Sequence, residues 1–270
     1  MKDTILKTIP RQHGTWFIFT TAYIMGQFIY SLPLNLSFLL FGGMFFLIFA
    51  RNSMTLWVKE LKKKKNGKSF LILALIYIAI ASIPSLYLIL TYHRYGLLIF
   101  AAVVGVVAIY SLYLSYTGKE LSVTAEVVNI MVLSTVVPAI GYVKKGSFDL
   151  STGAIWVATS LFYLGSIFRV RYLVRDRKIL AEALPQRFRA NINSLIYHTL
   201  SYLIIIFFSM NGLLPRLMII AFLPTYIRAI YIIIRRYEKP PSVVRIGWSE
   251  VFNSVTFVIL AIISYHGLRK

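Results

Sequence analysis

Two short pairs of oxygen-bearing side chains are the part of the sequence best suited to chemistry. Glu126 precedes Asn129 and Glu250 precedes Asn253, each with the i, i+3 spacing that places both side chains on one helix face. Each pair is expected at the cytosolic start of an apolar span, so the two pairs could bring four oxygen ligands to one depth. Such ligands suit Mg²⁺. Glu126 and Glu250 are therefore candidate metal ligands or catalytic bases, and Asn129 and Asn253 are candidate substrate contacts. The alternative role for each Glu is helix stabilisation, because an acidic side chain in the first turn favourably meets the helix dipole.

A second polar cluster, Pro10-Arg-Gln-His-Gly-Thr-Trp16, lies where a basic N-terminal segment meets the first long apolar stretch. A single cation would mark such a boundary, so a cation, an amide, an imidazole and an indole together indicate the rim of a site. We assign His13 as a candidate catalytic residue because an imidazole titrates near neutrality. Arg11, Gln12 and Trp16 are candidate substrate contacts. The alternative for Trp16 is an anchor at headgroup depth, where tryptophan is enriched.

Several arginines could complement an anionic group. Arg228 lies inside an apolar segment, where a guanidinium group needs an anionic partner such as Glu250 or a bound phosphate. With His13, the arginines expected to line one cytosol-facing cavity are Arg51, Arg171, Arg175 and Arg228.

The composition limits the class of protein. The 270 residues are 58% hydrophobic and have a mean hydropathy of +0.73, which is more apolar surface than a soluble core of this size can bury. The formal charge of +20 fits basic cytoplasmic loops that contact anionic lipids, and nucleic acid is not an expected partner. The absence of cysteine excludes disulfides and thiolate metal sites.

The apolar segments predict an all-α polytopic bundle with nine transmembrane helices in the cell (plasma) membrane, because a span needs about 20 apolar residues. Most lysines and arginines fall on one side of this arrangement, which predicts the N-terminus inside and the C-terminus outside. The predicted spans are 14–32, 34–50, 69–91, 95–116, 124–143, 150–171, 190–210, 213–234 and 248–267.

The sequence also predicts an internal repeat within one transmembrane domain, residues 1–270. The segments that begin at Ile48 and at Ile167 are each an apolar span that continues as a basic amphipathic helix. Their separation is about 120 residues, which indicates a pseudo-repeat of roughly 10–120 and 121–270.

Four stretches together resemble the YwiC-like membrane proteins. They are Pro10–Trp16, Gly165–Asp176, Ala221–Arg228 and Ile246–Ser254. This resemblance implies an architecture and leaves the reaction open.

A more distant likeness is to the UbiA intramembrane prenyltransferases, which have nine helices, an inside N-terminus and a polar pocket under two cytosolic loops. Those enzymes hold magnesium diphosphate with aspartate-rich motifs, whereas this chain has only Asp3, Asp149 and Asp176. The likeness implies a pocket for an isoprenoid, quinone or related lipid, with arginines in place of the aspartates.

Two functions follow from the sequence. One is a divergent UbiA-type transferase of a prenyl or related lipid group, in which arginines stabilise the departing charge. The other is a non-catalytic transporter or assembly factor that binds a lipid, quinone or haem. Half-broken spans would favour transport, and Pro84, Pro138 and Pro224 leave that option open. The oligomeric state is left open.

Overall fold

The structure is a computed structural model that describes residues 2–10, 13–175, 178–237, 239 and 241–267. All regular elements of these residues are helices, in agreement with the all-α prediction. The chain divides into two compact units, Met1–Phe148 and Asp149–Lys270.

The first unit contains seven helices. They are α1 (Lys2–Thr8), α2 (His13–Tyr30), α3 (Leu34–Lys62), α4 (Lys68–Tyr92), α5 (Leu97–Thr117), α6 (Val123–Ser134) and α7 (Val136–Lys145). The packing of α3 on α4 depends on a small residue, because a side chain at Gly43 would lie 3.1 Å from the hydroxyl of Ser85.

The second unit contains four α-helices and one short 3₁₀ helix in its described residues. They are α8 (Leu150–Arg175), a 3₁₀ turn (Ile179–Ala181), α9 (Leu184–Met210), α10 (Met218–Ile234) and α11 (Val243–His266). A buried apolar cluster joins α8, the 3₁₀ turn, α10 and the start of α11, and its members are Tyr172, Leu173, Leu180, Ile232, Ile233 and Ile246.

Seven segments of the described residues are long and apolar enough to cross a membrane. They are α3, α4, α5, the α6–α7 pair, α8, α9 and α11. Of the nine predicted spans, the other two correspond to α2, with 18 residues, and α10, with 17. The count of nine and the orientation stay predictions.

The turns between helices lie where the sequence predicts them. Pro33 precedes α3, and Ser31 adopts a positive φ of 48° in the turn that follows α2. His93 ends α4 in the left-handed conformation, and Gly212 follows α9 with a φ of 71°. α3 and α8 each continue as one helix into the basic segment that follows the apolar part.

Pro138 has a different effect from the other prolines inside spans. It lacks the N–H that would bond to the carbonyl of Ser134, and the helix is interrupted there, between α6 and α7. Pro84 and Pro224 lie within continuous helices, α4 and α10.

Candidate functional site

Arg51 is a half-buried cation of the first unit. Its Nη2 donates to Oγ of Ser111 on α5 at 2.8 Å and to Oδ1 of Asn129 on α6 at 2.7 Å. Arg51 lies on α3, in one of the helices apolar enough to span a membrane. Among the described residues both hydrogen-bond partners are neutral, so they orient the guanidinium group without neutralising its charge.

Arg51 and Asn129 face a cleft of about 630 Å³. Its lining includes the polar residues Thr15, Asn52, Thr55, Ser111 and Ser115 and the apolar residues Ile9, Ile48, Leu56, Phe70 and Ala125. The cleft therefore offers both kinds of surface to one occupant.

The N-terminal segment forms one wall of this cleft through Lys7, Ile9 and Pro10. The end of α1 is fixed by two contacts at Thr8. Its carbonyl accepts from Nδ2 of Asn52 at 2.7 Å, and its hydroxyl lies 3.1 Å from that of Tyr77. These bonds attach α1 to α3 and α4.

Trp16 fixes the segment between α1 and α2. Its Nε1 donates to the carbonyl of Pro10 at 2.9 Å, and its ring packs against Phe45 and Phe49 with centroids 5.5 and 5.6 Å apart. Trp16 thus holds Pro10, which lines the cleft.

Charged residues of the cleft carry a positive excess. Lys7, Arg51, Lys59 and Lys65 line it together with only two acidic residues, Glu60 and Glu120. Lys59 and Glu120 form an ion pair at 2.7 Å with side chains more than a third exposed, so this pair contributes little to stability. The field in the cleft therefore favours an anion.

The second unit holds a cluster in which two arginines share one carboxylate, named here the Arg–Glu–Arg cluster. Glu250 on α11 accepts from Nη1 of Arg169 on α8 and from Nη2 of Arg228 on α10, the latter at 2.9 and 3.1 Å. Ser249 adds two acceptors, its hydroxyl for Arg169 at 2.9 Å and its carbonyl for Arg228 at 2.8 Å. The predicted partnership of Arg228 with Glu250 is present.

The environments of the two Glu-x-x-Asn pairs differ. Glu126 lies in the first turn of α6, which is capped by Ser122, and this fits the helix-stabilising alternative. Glu250 lies well inside α11, because that helix begins at Val243 and not near the predicted start of the span at 248. Asn253, the second residue of that sequence pair, is buried. Its Nδ2 donates to the Thr225 hydroxyl at 3.1 Å, and its Oδ1 accepts from that hydroxyl at 3.3 Å.

Other predicted site residues are only partly described. Arg11 and Gln12 lie outside the described residues, as do the side chains of His13 and Arg175. Arg171 is half-buried on α8. His13 and Arg51 belong to the first unit, and Arg171, Arg175 and Arg228 belong to the second. A cavity common to these five residues therefore stays a prediction.

The sequence analysis did not select Arg169, although its position carries a signal. Buried residues of α8 follow a seam of Ile155, Ala158, Phe162, Gly165 and Tyr172, and Arg169 continues it at the spacing of three and four residues. Arg171 lies off this seam. The periodicity of α8 therefore identifies the arginine that faces the bundle interior.

Residues 9–141 match the model of the family described as YwiC-like protein. The match covers just under half of the chain, and over these residues the chain is similar to the YwiC-like family. No curated protein and no solved structure matches the chain.

The YwiC-like match covers most of the first unit and includes Arg51, Asn129 and most of the cleft lining. Of the four stretches that carry the resemblance in the sequence, Pro10–Trp16 lies inside the matched residues and the other three lie beyond them. The likeness to UbiA enzymes stays an interpretation of the sequence.

Proposed function

We propose that this YwiC-like protein binds an amphipathic molecule with an anionic head group in the cleft of the first unit. The observation that carries the proposal is the half-buried guanidinium group of Arg51, which has neutral hydrogen-bond partners among the described residues and faces a cleft of about 630 Å³.

A cation inside a membrane-spanning helix is costly and is generally found paired or in a functional site. In the second unit, Glu250 meets this cost for Arg169 and Arg228 by accepting from both. At Arg51 the corresponding negative charge would come from the ligand. Charge-assisted hydrogen bonds to the guanidinium group would then hold a phosphate or carboxylate head.

The apolar wall of the cleft supports a ligand with a hydrocarbon part. Ile48 lies on α3 three residues before Arg51 and Leu56 five residues after it, and Phe70 lies at the start of α4. A lipid that enters from the membrane would place its head at Arg51 and its chain on the side of Ile48, towards the apolar part of α3. An isoprenoid or quinone tail is what the likeness to UbiA enzymes implies.

The hydrogen bonds and ion pairs that the candidate metal ligands already make within the chain favour binding without catalysis. Oδ1 of Asn129 accepts from Arg51, Oδ1 of Asn253 accepts from Thr225, and Glu250 is neutralised by two arginines. The described residues also contain no group of three or more His, Cys, Asp or Glu side chains that could hold a metal. These donors fit a magnesium site poorly, which makes diphosphate-dependent prenyl transfer the less supported function.

Transport of the same ligand is a second candidate. The break between α6 and α7 interrupts one candidate span six residues beyond Asn129, and broken spans beside a binding site are typical of transporters. With either function, we propose that the chain lies in the plasma membrane, with nine spans and the cleft open to the cytosol.

The test compares binding of two short-chain phospholipids to the purified full-length chain. The probes are phosphatidic acid, which is anionic, and phosphatidylcholine with the same acyl chains, which is zwitterionic. We expect tighter binding of phosphatidic acid to the parent protein. In Arg51→Gln its Kd is expected to rise about tenfold or more, because a hydrogen bond to a charged group is lost.

The matched control is Arg94→Gln. Arg94 is also a half-buried guanidinium group of the first unit with a neutral partner, the carbonyl of Val143 at 2.9 Å, and it does not line the cleft. Its substitution removes the same charge and should leave the Kd unchanged. Equal loss in both variants, or equal binding of both lipids, would contradict the proposal. Product formed from a prenyl diphosphate and an acceptor would instead support the transferase.

A further inference from the structure

Arg51 keeps three of its N–H groups available for a ligand. A guanidinium group has five N–H donors, and the two on Nη2 donate to Ser111 and Asn129. Nε and Nη1 have no hydrogen-bond partner among the described residues. These atoms are not buried, in contrast to the unpartnered Nε atoms of Arg169 and Arg228. The open space that Arg51 lines is the cleft, so its remaining donors can reach an occupant there.

Asn129 adds a donor whose direction is fixed by Arg51. A guanidinium group can only donate, so Oδ1 is the end of the amide that faces it and Nδ2 is the end turned away. Nδ2 has no partner among the described residues and is not buried. The hydroxyl of Ser111 accepts from Arg51 and keeps its own proton to donate. Donors from α3, α5 and α6 therefore meet beside the guanidinium group.

The charges of the cleft match a doubly charged head group. Its described lining has four cationic and two acidic side chains, an excess of two positive charges. A carboxylate or a phosphodiester carries one negative charge and offers two free oxygens, which would leave part of this excess and some of the donors unmatched. A phosphomonoester carries about two negative charges at neutral pH and has three acceptor oxygens.

We propose that the head group bound at Arg51 is a terminal phosphate, –OPO₃²⁻, so that the ligand is a phosphomonoester lipid. Its oxygens accept from the free N–H groups of Arg51, from Nδ2 of Asn129 and from the hydroxyl of Ser111. This inference rests on the proposed function, which requires only that the head group is anionic.

The first test compares phosphatidic acid with phosphatidylmethanol of the same acyl chains, each bound to the purified full-length chain. The two lipids differ in one methyl group on the phosphate, which removes one negative charge and one free oxygen. We expect the Kd of phosphatidylmethanol to be about tenfold or more above that of phosphatidic acid, since a hydrogen bond to a charged group is lost.

This comparison separates the inference from the proposed function. Equal Kd values for the two anionic lipids, both below that of phosphatidylcholine, would overturn the terminal phosphate and leave the anionic ligand in place. Equal binding of all three lipids would contradict both. Inorganic phosphate has the same free oxygens without a hydrocarbon part and should displace phosphatidic acid only at concentrations far above the Kd of the lipid. Displacement at equal concentration would support the phosphate head and contradict the amphipathic ligand.

The second test is Asn129→Asp. This variant keeps the oxygen that accepts from Arg51 and replaces the free donor by a negatively charged oxygen. The chain itself then supplies a counterion for Arg51, as Glu250 does for Arg228 in the second unit. We expect the Kd of phosphatidic acid to rise about tenfold or more, because a donor is lost and the new carboxylate repels the head. An unchanged Kd would place the phosphate elsewhere and overturn the inference.

Asn66→Asp is the matched control. Asn66 lies in the exposed turn between α3 and α4, where its Oδ1 accepts from the backbone N–H of Lys68 at 3.1 Å, and it does not line the cleft. The same change of charge there should leave the Kd unchanged, because an exposed charge is screened by salt. An equal rise in both variants would overturn the contact with Asn129. If Asn129→Asp does not fold, the comparison of phosphatidic acid with phosphatidylmethanol in the parent protein decides.

Discussion

Replacing Glu250 by Gln tests whether its carboxylate is the counterion that allows two arginines to be buried in the second unit. The change keeps the size of the side chain and removes its charge. Nη1 of Arg169 and Nη2 of Arg228 then face a neutral amide, of which one end is a donor. Both guanidinium groups keep one contact with Ser249.

The expected loss follows from the burial of the three groups. Removing one member of a buried ion pair costs about 3 to 5 kcal/mol, because the remaining charge is stranded. With side chains 13 to 19% exposed and the Ser249 contacts retained, we expect the lower end of that range, about 3 kcal/mol.

The assay is the free energy of unfolding of the full-length chain in detergent, measured for the parent and for Glu250→Gln. Glu126→Gln is the control, since it makes the same change in the first turn of α6 and should cost about 1 kcal/mol or less. A triple variant, with Arg169, Arg228 and Glu250 all changed to Gln, should recover much of the loss because no charge is stranded. A loss below about 1 kcal/mol in Glu250→Gln would refute the reasoning, as the cost of a stranded charge should be larger.

Three further outcomes are expected. In unfolding experiments Gly165→Ala should destabilise the protein by about 1 to 3 kcal/mol, because the added methyl group would collide with His198. Gly105→Ala is the control: a Cβ there meets nothing within 4 Å, so this variant should be neutral or slightly stabilising. Magnesium should leave the unfolding midpoint of the parent unchanged, because arginines already neutralise Glu250; a magnesium-dependent rise that disappears in Glu250→Gln would support the metal-dependent enzyme. Reporter fusions placed after Lys270 should read as external, and a cytoplasmic signal would contradict both the nine spans and the charge-based orientation.

The apolar pattern was sufficient to predict most of the helices and turns. Pro33 and the Asn211-Gly212 pair mark ends of apolar runs, and the structure places turns there because proline and glycine suit them. The predicted start of the last span at Trp248 was too late, because the apolar residues Val243, Val244 and Ile246 already belong to α11. Hydropathy also underestimated the length of α9, which begins at Leu184 with a polar, arginine-containing segment.

The candidate site was predicted as a set of residue types, and its pairings were only partly foreseen. The charge of Arg228 required a partner, and Glu250 was the nearest acidic residue along the chain in a span, so this pair could be predicted. Arg169 shares that carboxylate, and only the periodicity of α8 distinguishes it from Arg171. The contact of Arg51 with Asn129 joins residues 78 positions apart, which a single sequence does not reveal.

The neutral surroundings of Arg51 also have a consequence for how much of the protein a cell accumulates. An arginine at the centre of a spanning helix costs roughly 2.5 to 3.5 kcal/mol during insertion, and Arg51, just beyond the predicted span 34–50, carries a smaller part of that cost. If an anionic lipid neutralises Arg51, newly made chains would mature in membranes that supply this lipid and would be degraded more often in membranes that lack it. The steady-state level of the protein would then report the lipid composition of the membrane, and Arg51→Gln would make that level insensitive to it.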